Sequence, residues 1–404
     1  MAYWSDLPPE LLDIVTTQFD VPSDDLRHFR SVCSMWRSAV PKPLPTQFPP
    51  MKFFNSNNNF HQYDIRLIKH SFYHLSLLSN PDLPGWLIKI EENNPGTVSL
   101  FHPFSRSQIK VPLNFPKQLD LTNIRIRELD YEYVLRNVSG NVELYNMEHE
   151  KVAIVTSSNS NNSDEIVILS THITGKLLMY RSNVQVWSFL DDLVLGYDDR
   201  SVYVNDWCMH YVDVKEFNGT FYAVTNSGRT VSIQVMNGLS TVHVTLLKNS
   251  IIGGDKKSLV KLGDDLLMID LYTDTTPRGM VKVHAVEIFR LDSDNQKWVL
   301  VKSLGDYAIF LSNHSTFSAI ALRGCKGNCI YFQFSNFGDK NKCCSDIVRQ
   351  GKREEMDDFE WKSEEIGVFD FEKGVVGRLE EYMENSHLFS WPPPTWVISA
   401  KQNF

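Results

Sequence analysis

The sequence has 404 residues, of which 42% are hydrophobic and 22% are charged, a composition typical of a globular chain. No apolar run approaches the length of a transmembrane helix. The net charge is −9, and the two dense basic stretches, Lys256-Lys257 and Lys352-Arg353, each lie beside acidic residues, which argues against a nucleic-acid-binding surface.

The first helix is predicted in the stretch DLPPELLDIV. Asp6 is a candidate N-cap, and Pro8 and Pro9 fall in the first turn, where a fixed φ and a missing N–H are tolerated. Leu11 and Ile14 then recur at helical spacing, so one face of this helix is apolar.

A second helix is predicted after Pro22, with Leu26 and Cys33 on one stripe, and a third short helical turn includes Trp36. Residues 1–40 are too few to bury a core of their own, so their apolar faces must pack on the rest of the chain or on a partner. The helical pattern alone leaves both alternatives open.

The identities of these residues resemble the F-box motif, which runs Leu-Pro-x-Glu-Leu-Leu, then Asp-Leu, then Val-Cys-x-x-Trp-Arg. Ser34 stands where many members carry Arg or Lys. The resemblance implies a three-helix F-box that docks on the Skp-type adaptor of SCF ubiquitin ligases, and through it on cullin and RING subunits. The adaptor-binding residues that it implies are Leu7, Pro8, Leu11, Leu12, Ile14, Leu26, Val32, Cys33 and Trp36.

Residues 41–60 are rich in proline and asparagine and are predicted to be a linker. Beyond them the apolar period changes from 3.6 to 2, for example in TVHVTLL and VKVHA. Asn218-Gly219, Gly263-Asp264 and Gly327-Asn328 are predicted hairpin turns.

Repeated strand–turn–strand units over residues 61–404 predict a mainly β fold, a β-propeller of six to eight blades at roughly 40–50 residues each. A double-sheet jelly roll is the alternative. Residues 336–365 are predicted to be a charged insertion.

Several longer phrases resemble the C-terminal domain of a large plant F-box family, of the SKP-interacting-partner type. They include WLIKIEENNPGTVSLFHPFSR, EFNGTFYAVTNSGRTVSIQ and the terminal WPPPTWV. That domain, long described as of unknown function, is represented as a β-propeller. Together with the F-box, the resemblance covers nearly the whole chain.

The sequence contains no Walker-type phosphate loop, no G-x-S-x-G elbow and no H-E-x-x-H pair. The Cys325–Cys329 pair and the adjacent Cys343 and Cys344 have poor spacing for a tetrahedral zinc site. We therefore predict no metal, no cofactor and no catalytic residues. Tryptophans such as Trp187 are interpreted as packing residues between blades.

These patterns predict a non-catalytic substrate-recognition subunit of an SCF-type ubiquitin ligase, which recruits an unknown protein target for ubiquitination and proteasomal degradation. A regulatory scaffold that binds the adaptor without delivering a substrate, and a propeller enzyme with an unrecognised site, are the alternatives. Sparse cysteines and the lack of a signal-peptide pattern predict a nuclear or cytoplasmic location, without membrane attachment.

Overall fold

A computed structural model describes most of the β-rich region and a few N-terminal residues. The described residues are 11–12, 33–34, 36, 51–53, 63–80, 83, 85–94, 97–106, 108–111, 115, 123–137, 150–158, 164–172, 174–185, 187–190, 210–235, 242–275, 281–320, 322, 324–333, 366–382 and 386–399. The predicted insertion at 336–365 lies outside them.

Blade 1 has five strands: β1 (Met51–Phe53), β2 (Tyr63–Leu77), β3 (Trp86–Asn94), β4 (Thr97–Phe101) and β5 (Ile124–Asn137). The long β5 pairs antiparallel along β2, while β1 and β3 pair with the other edge of β2. β1 lies within residues 41–60, so part of the predicted linker is a strand, because its backbone groups pair with the start of β2.

Blades 2, 3 and 4 are four-stranded antiparallel meanders. Blade 2 contains β6 (Val152–Ser158), β7 (Asp164–Thr171), β8 (Leu177–Arg181) and β9 (Trp187–Phe189). Blade 3 contains β10 (Tyr211–Phe217), β11 (Thr220–Thr225), β12 (Thr230–Val235) and β13 (Val242–Leu246). Blade 4 contains β14 (Lys256–Leu262), β15 (Asp265–Thr275), β16 (Val281–Asp292) and β17 (Lys297–Val301).

The predicted turns at Asn218-Gly219 and Gly263-Asp264 are confirmed as two-residue hairpin loops. Asn218 and Gly219 have φ of 50° and 74°, as a type I′ turn requires, and the loop joins β10 to β11. Gly263 has φ of 57° and joins β14 to β15. Local backbone chemistry therefore sets these two registers.

Blade 5 has a different topology. Its strands are β18 (Tyr307–Ser312), β19 (Thr316–Ile320), β20 (Cys329–Gln333), β21 (Gly367–Asp370) and β22 (Val375–Arg378). Their order in the sheet is β19-β18-β20-β21-β22, and β18 runs parallel to β20. The prediction of a hairpin at Gly327-Asn328 is therefore wrong, since β19 and β20, the strands on either side of it in the sequence, are not paired and β18 lies between them.

The five blades close into a ring around a central axis. Strands β5, β6, β10, β14 and β19 are the innermost, and each contacts the next around the ring, with β19 returning to β5. This arrangement is a five-bladed propeller and excludes the two packed sheets of a jelly roll. The predicted count of six to eight blades is not confirmed in the described residues, because blades 1 and 5 extend over residues 51–137 and 307–378.

Each junction between neighbouring blades is filled by buried apolar side chains. Trp187 lies in the junction of blades 1 and 2, and Trp298 lies in that of blades 3 and 4, as their predicted packing role requires. At the junction of blades 1 and 5, the ring of Phe317 stacks on Phe72 and Phe310 at centroid distances of 4.0 and 4.8 Å. These clusters hold the inner strands at fixed positions around the axis.

The C-terminal segment packs back on blade 1. It contains 3₁₀ helices at Leu379–Glu381 and Ser386–Phe389 and an α-helix at Thr395–Ser399. Trp86 Nε1 donates a hydrogen bond to the Ser390 carbonyl at 3.1 Å, and Val397 is fully buried against blade 1. None of the helices in the described part of the chain is long and apolar enough to cross a membrane.

Candidate functional site

Of the predicted adaptor-binding residues, four fall within the described part of the chain. Leu11 and Leu12 are helical, and Leu11 is 46% exposed whereas Leu12 is fully buried. Cys33 and Trp36 are half-buried. The others, Leu7, Pro8, Ile14, Leu26 and Val32, lie outside the described residues, as does the predicted three-helix arrangement. Adaptor contact by all nine residues stays a prediction. Of the four described residues, Leu11 is an exposed apolar side chain on a helix.

A cavity of about 160 Å³ lies on the axis of the ring and is lined by all five innermost strands. The shape of a propeller brings together residues that lie far apart in the sequence, because each blade contributes its innermost strand to the same channel. The charged lining residues are Arg106, Asp130, Glu132, Lys151, Asp213, Lys215, Glu216 and Lys261.

Glu132 is the centre of a buried ion network between blades 1 and 5. It lies 3.1 Å from the ammonium of Lys89 and 3.6 Å from the guanidinium of Arg106, and it accepts a 3.0 Å hydrogen bond from the hydroxyl of Ser315. Burial acts to raise the pKa of Glu132, but the charges of Lys89 and Arg106 hold it well below its usual value. Burial lowers the pKa of Lys89 to about 8, against the opposing charge of Glu132. Glu132 is therefore an anion committed to structural contacts.

Arg106 ties this network to two neighbouring loops. Its Nη1 donates to the carbonyl of Glu150 at 3.3 Å, and its Nη2 donates to the carbonyl of His314 at 3.1 Å. Glu150 precedes Lys151, and His314 lies two residues before Thr316. One guanidinium thus brings Lys151 and Thr316 to the same part of the channel.

Lys151 and Lys256 are crowded around Asp213. Burial lowers the pKa of both lysines; nearby cations lower it further, whereas Asp213 acts to raise it. The Asp213 carboxylate accepts hydrogen bonds from the backbone N–H groups of Val214 and Leu259, both at 2.8 Å. Lys151 and Lys256 also line a second cavity of about 200 Å³.

Further along the axis, Lys261 forms an ion pair with Glu216 at 2.5 Å. Burial raises the pKa of Asp130, which favours its neutral form. Lys215 donates to the carbonyl of Thr316 at 3.4 Å. Most of the acids around the channel are therefore paired, hydrogen-bonded or shifted toward the protonated form.

The hydroxyl and amine side chains of the axial cavity that could act as nucleophiles belong to lysine, threonine and tyrosine. Neither serine nor cysteine is among the residues that line the axial cavity. Elsewhere, burial raises the pKa of Cys325 and Cys329 to about 12, which keeps both as thiols. Within the described ranges, no group of three or more His, Cys, Asp or Glu side chains is arranged to hold a metal ion.

The channel residues carry no motif that marks them in the sequence. Arg106, Glu132, Lys151 and Thr316 lie in four separate segments, Glu132 inside β5 and the other three in loops or at the end of a strand. Their convergence depends on ring closure, for which a single sequence carries no local signal.

Comparison with known proteins identifies both parts of the chain. A family model described as "F-box domain" matches residues 4–47, and one described as "KIB1-4 beta-propeller" matches residues 53–370. "F-box protein SKIP23" of Arabidopsis thaliana is 32% identical over 99% of this chain and 96% of its own length. "F-box protein At2g17036" of the same plant is 29% identical over 100% of this chain and 96% of its own.

Among solved structures, "Hadza microbial sialidase Hz136" aligns with a TM-score of 0.24 and 7% identity, over 72% of this chain and 61% of that chain. At this score the likeness supports no conclusion about the present molecule. The two family models span most of the chain, and an F-box domain implies binding to a Skp-type adaptor. The chain belongs to the family of F-box proteins that carry a KIB1-4 beta-propeller.

Proposed function

We propose that this protein is the substrate-recognition subunit of an SCF-type ubiquitin ligase, which recruits a target protein for ubiquitination and proteasomal degradation. The observation that carries the proposal is the order of its parts: an F-box match at residues 4–47 is followed directly by a propeller match at 53–370. The F-box contacts the adaptor, and the propeller presents a binding surface for the target.

The propeller suits this role because its surface is rigid and its loops are numerous. Five apolar junctions fix the blades, so loops at the ends of the ring are held by a stable base. The subunit itself needs no catalytic group, because it promotes ubiquitination by holding the target close to the charged ubiquitin carrier. We place this activity in the nucleus, the cytoplasm or both.

The first test concerns the adaptor. Leu11 is exposed and Trp36 is half-buried, so the double variant Leu11→Ala, Trp36→Ala removes two predicted anchors. A central anchor is worth about 2–4 kcal/mol at an interface, so the double variant should no longer co-purify with a Skp-type adaptor. Ser34→Ala, at an exposed polar position of the same segment, is the control and should co-purify normally.

The second test concerns the target. Proteins that co-purify with both the wild type and the double variant, after proteasome inhibition, are candidates held by the propeller. Their half-lives in cells should lengthen when the double variant is expressed, because it holds them without delivering them to the ligase. If the half-lives of the bound proteins are the same with the wild type and with the double variant, a regulatory scaffold is favoured. Turnover of a bound molecule without the adaptor would favour an enzyme.

A further inference from the structure

The axial channel contains a half-buried lysine whose ammonium makes no ion pair with the described residues. Lys151 lies at the start of β6 and lines both cavities. Its ammonium has no ion pair within 4 Å and no hydrogen bond among the described residues, although Asp213, Arg106 and Lys215 all lie within its electrostatic range. A half-buried ammonium that lies near other cations and has no ion-pair partner favours a negatively charged neighbour.

Two further donors belong to the same part of the channel. Arg106 is 7% exposed, and its Nε–H has no acceptor in the described structure. Thr316 is 8% exposed, and its hydroxyl has no partner there either. Buried donors without partners are rare in folded proteins, and an ion or water that completes them is a common explanation.

The acids nearby are engaged in other contacts. Glu132 is shared by Lys89, Arg106 and Ser315. Asp213 is held by two backbone N–H groups, and burial moves Asp130 toward its neutral form. Four basic and four acidic side chains line the cavity, and burial moves one of the acids, Asp130, toward its neutral form, so the donors of Arg106, Lys151 and Thr316 face a small excess of positive charge.

We propose that the channel binds a small oxyanion of the phosphate class, held by Lys151, with Arg106 and Thr316 as further donors. The axial cavity, at about 160 Å³, is large enough for such an ion. Ammonium, guanidinium and hydroxyl groups are the donors that phosphate and sulfate accept from in proteins. The site goes beyond target recruitment and depends only on the ring, since its donors Arg106, Lys151 and Thr316 come from blades 1, 2 and 5.

The test uses the full-length protein and inorganic phosphate as the probe. Isothermal titration calorimetry at constant ionic strength should show saturable binding of phosphate and of sulfate. A titration with chloride is the reference. Lys151→Met removes the charge at nearly constant length and should weaken phosphate binding about tenfold or more, the value of one charge-assisted hydrogen bond. Lys302→Met, at an exposed loop lysine, is the matched control and should bind as the wild type does.

A stability readout distinguishes loss of the site from loss of the fold. In phosphate-free buffer, Lys151→Met should melt at the wild-type temperature or above it, because Lys151 makes no ion pair that the substitution would break. Added phosphate should raise the melting temperature of the wild type and leave that of Lys151→Met unchanged. Lys151→Arg keeps the charge and should regain part of the phosphate response.

The source of the oxyanion is distinguished by a second titration. A capped phosphoserine that competes with phosphate and binds more tightly would assign the site to a phosphorylated side chain, whereas weaker binding would assign it to the free ion. The proposal is wrong if the wild type gives no saturable heat with phosphate or sulfate. It is also wrong if a folded Lys151→Met binds phosphate like the wild type. Neither result depends on whether the protein recruits a target to a ligase.

Discussion

Glu91 should contribute to stability through a buried ionic contact in blade 1 that can be removed by one substitution. Its carboxylate is 2% exposed and accepts two parallel hydrogen bonds from Arg136, at 2.7 and 2.8 Å. The Nε2–H of His70 lies 2.8 Å from the same carboxylate. These three residues lie on β3, β5 and β2, so the contact joins three strands of one sheet. Glu91→Gln keeps the shape but removes the charge and one acceptor oxygen.

The magnitude follows from the pKa of Glu91. Burial acts to raise it, but hydrogen bonds from His70 and Arg136 lower it from 4.5 to about 2. That difference corresponds to an upper limit of about 3 kcal/mol of folding free energy above pH 4.5. Arg136 is 31% exposed, so solvent screens part of the interaction, and we expect Glu91→Gln to cost about 2 kcal/mol at pH 7.

The pH dependence has a defined sign. Because the pKa is lower in the folded state, the stabilisation is complete above pH 4.5 and is lost as the pH falls toward 2. The difference between wild type and variant should therefore shrink from about 2 kcal/mol at pH 7 to about 1 kcal/mol at pH 3.5. Urea denaturation followed by circular dichroism at both values measures it.

A matched control is an exposed acid with a similar ion pair. Glu372 lies 2.9 Å from the ammonium of Lys326 but is 73% exposed, so Glu372→Gln should change stability by less than about 1 kcal/mol at pH 7. The reasoning about Glu91 fails if its substitution costs no more than this control. It also fails if the difference from wild type is the same at pH 7 and pH 3.5.

Two further substitutions test the packing of the ring, and thermal denaturation measures both. Gly228 has φ of 83°, and an added Cβ would lie against the carbonyl of Ile251, so Gly228→Ala should cost more than about 2 kcal/mol. Gly305→Ala, at φ of 60° with no described atom within 4 Å, should cost only about 1 kcal/mol, and equal losses would contradict the steric argument. Phe317→Ala empties the junction of blades 1 and 5 and should cost about 3–5 kcal/mol, whereas Leu300→Ala, at a site 49% exposed, should cost well under half as much. A Phe317→Ala loss no larger than that of Leu300→Ala would show that this junction does not depend on the aromatic stack.

Local signals in the sequence predicted the features that depend on local backbone geometry. Asn218-Gly219 predicts a hairpin because both residues tolerate positive φ, and the structure has both there. The TVHVTLL run predicts a strand with alternating faces, and Val242 and Val244 of β13 pack on the junction of blades 2 and 3. Such features need only a few neighbouring residues.

Features that depend on distant pairing were not predictable in the same way. Gly327-Asn328 has the composition of a hairpin tip, yet β20 pairs with β18 in parallel, a choice set by the whole of blade 5. The blade count was overestimated because β5 returns to β2 after an excursion of nearly fifty residues, which an average repeat length ignores.

The buried charges were missed for a related physical reason. Lys89 and Glu91 alternate with apolar residues in WLIKIEENN, a pattern that assigns them to the solvent-facing side of a strand. In the structure both are almost completely buried, because complementary groups from other segments meet them. Lys89 meets Glu132 and Ser315, which lie 43 and 226 residues away. The alternation of polar and apolar residues predicts the two faces of a strand. What each face contacts depends on the other segments of the assembled ring.

Blade 1 connects the F-box, which is proposed to bind the adaptor, to the propeller, which is proposed to bind the target. The F-box match ends at residue 47, and β1, which pairs with β2, begins at Met51, so the chain enters the ring almost immediately after the F-box. The C-terminal segment binds the same blade through Trp86 and Val397. In the proposed receptor, a short connection joins the F-box to blade 1, and the C-terminal segment packs on the same blade. These two features limit how far a bound target moves relative to the adaptor. A restricted range of motion raises the effective concentration of a target lysine near the ubiquitin carrier. The contacts that hold blade 1 therefore affect delivery of the target to the ligase as well as folding.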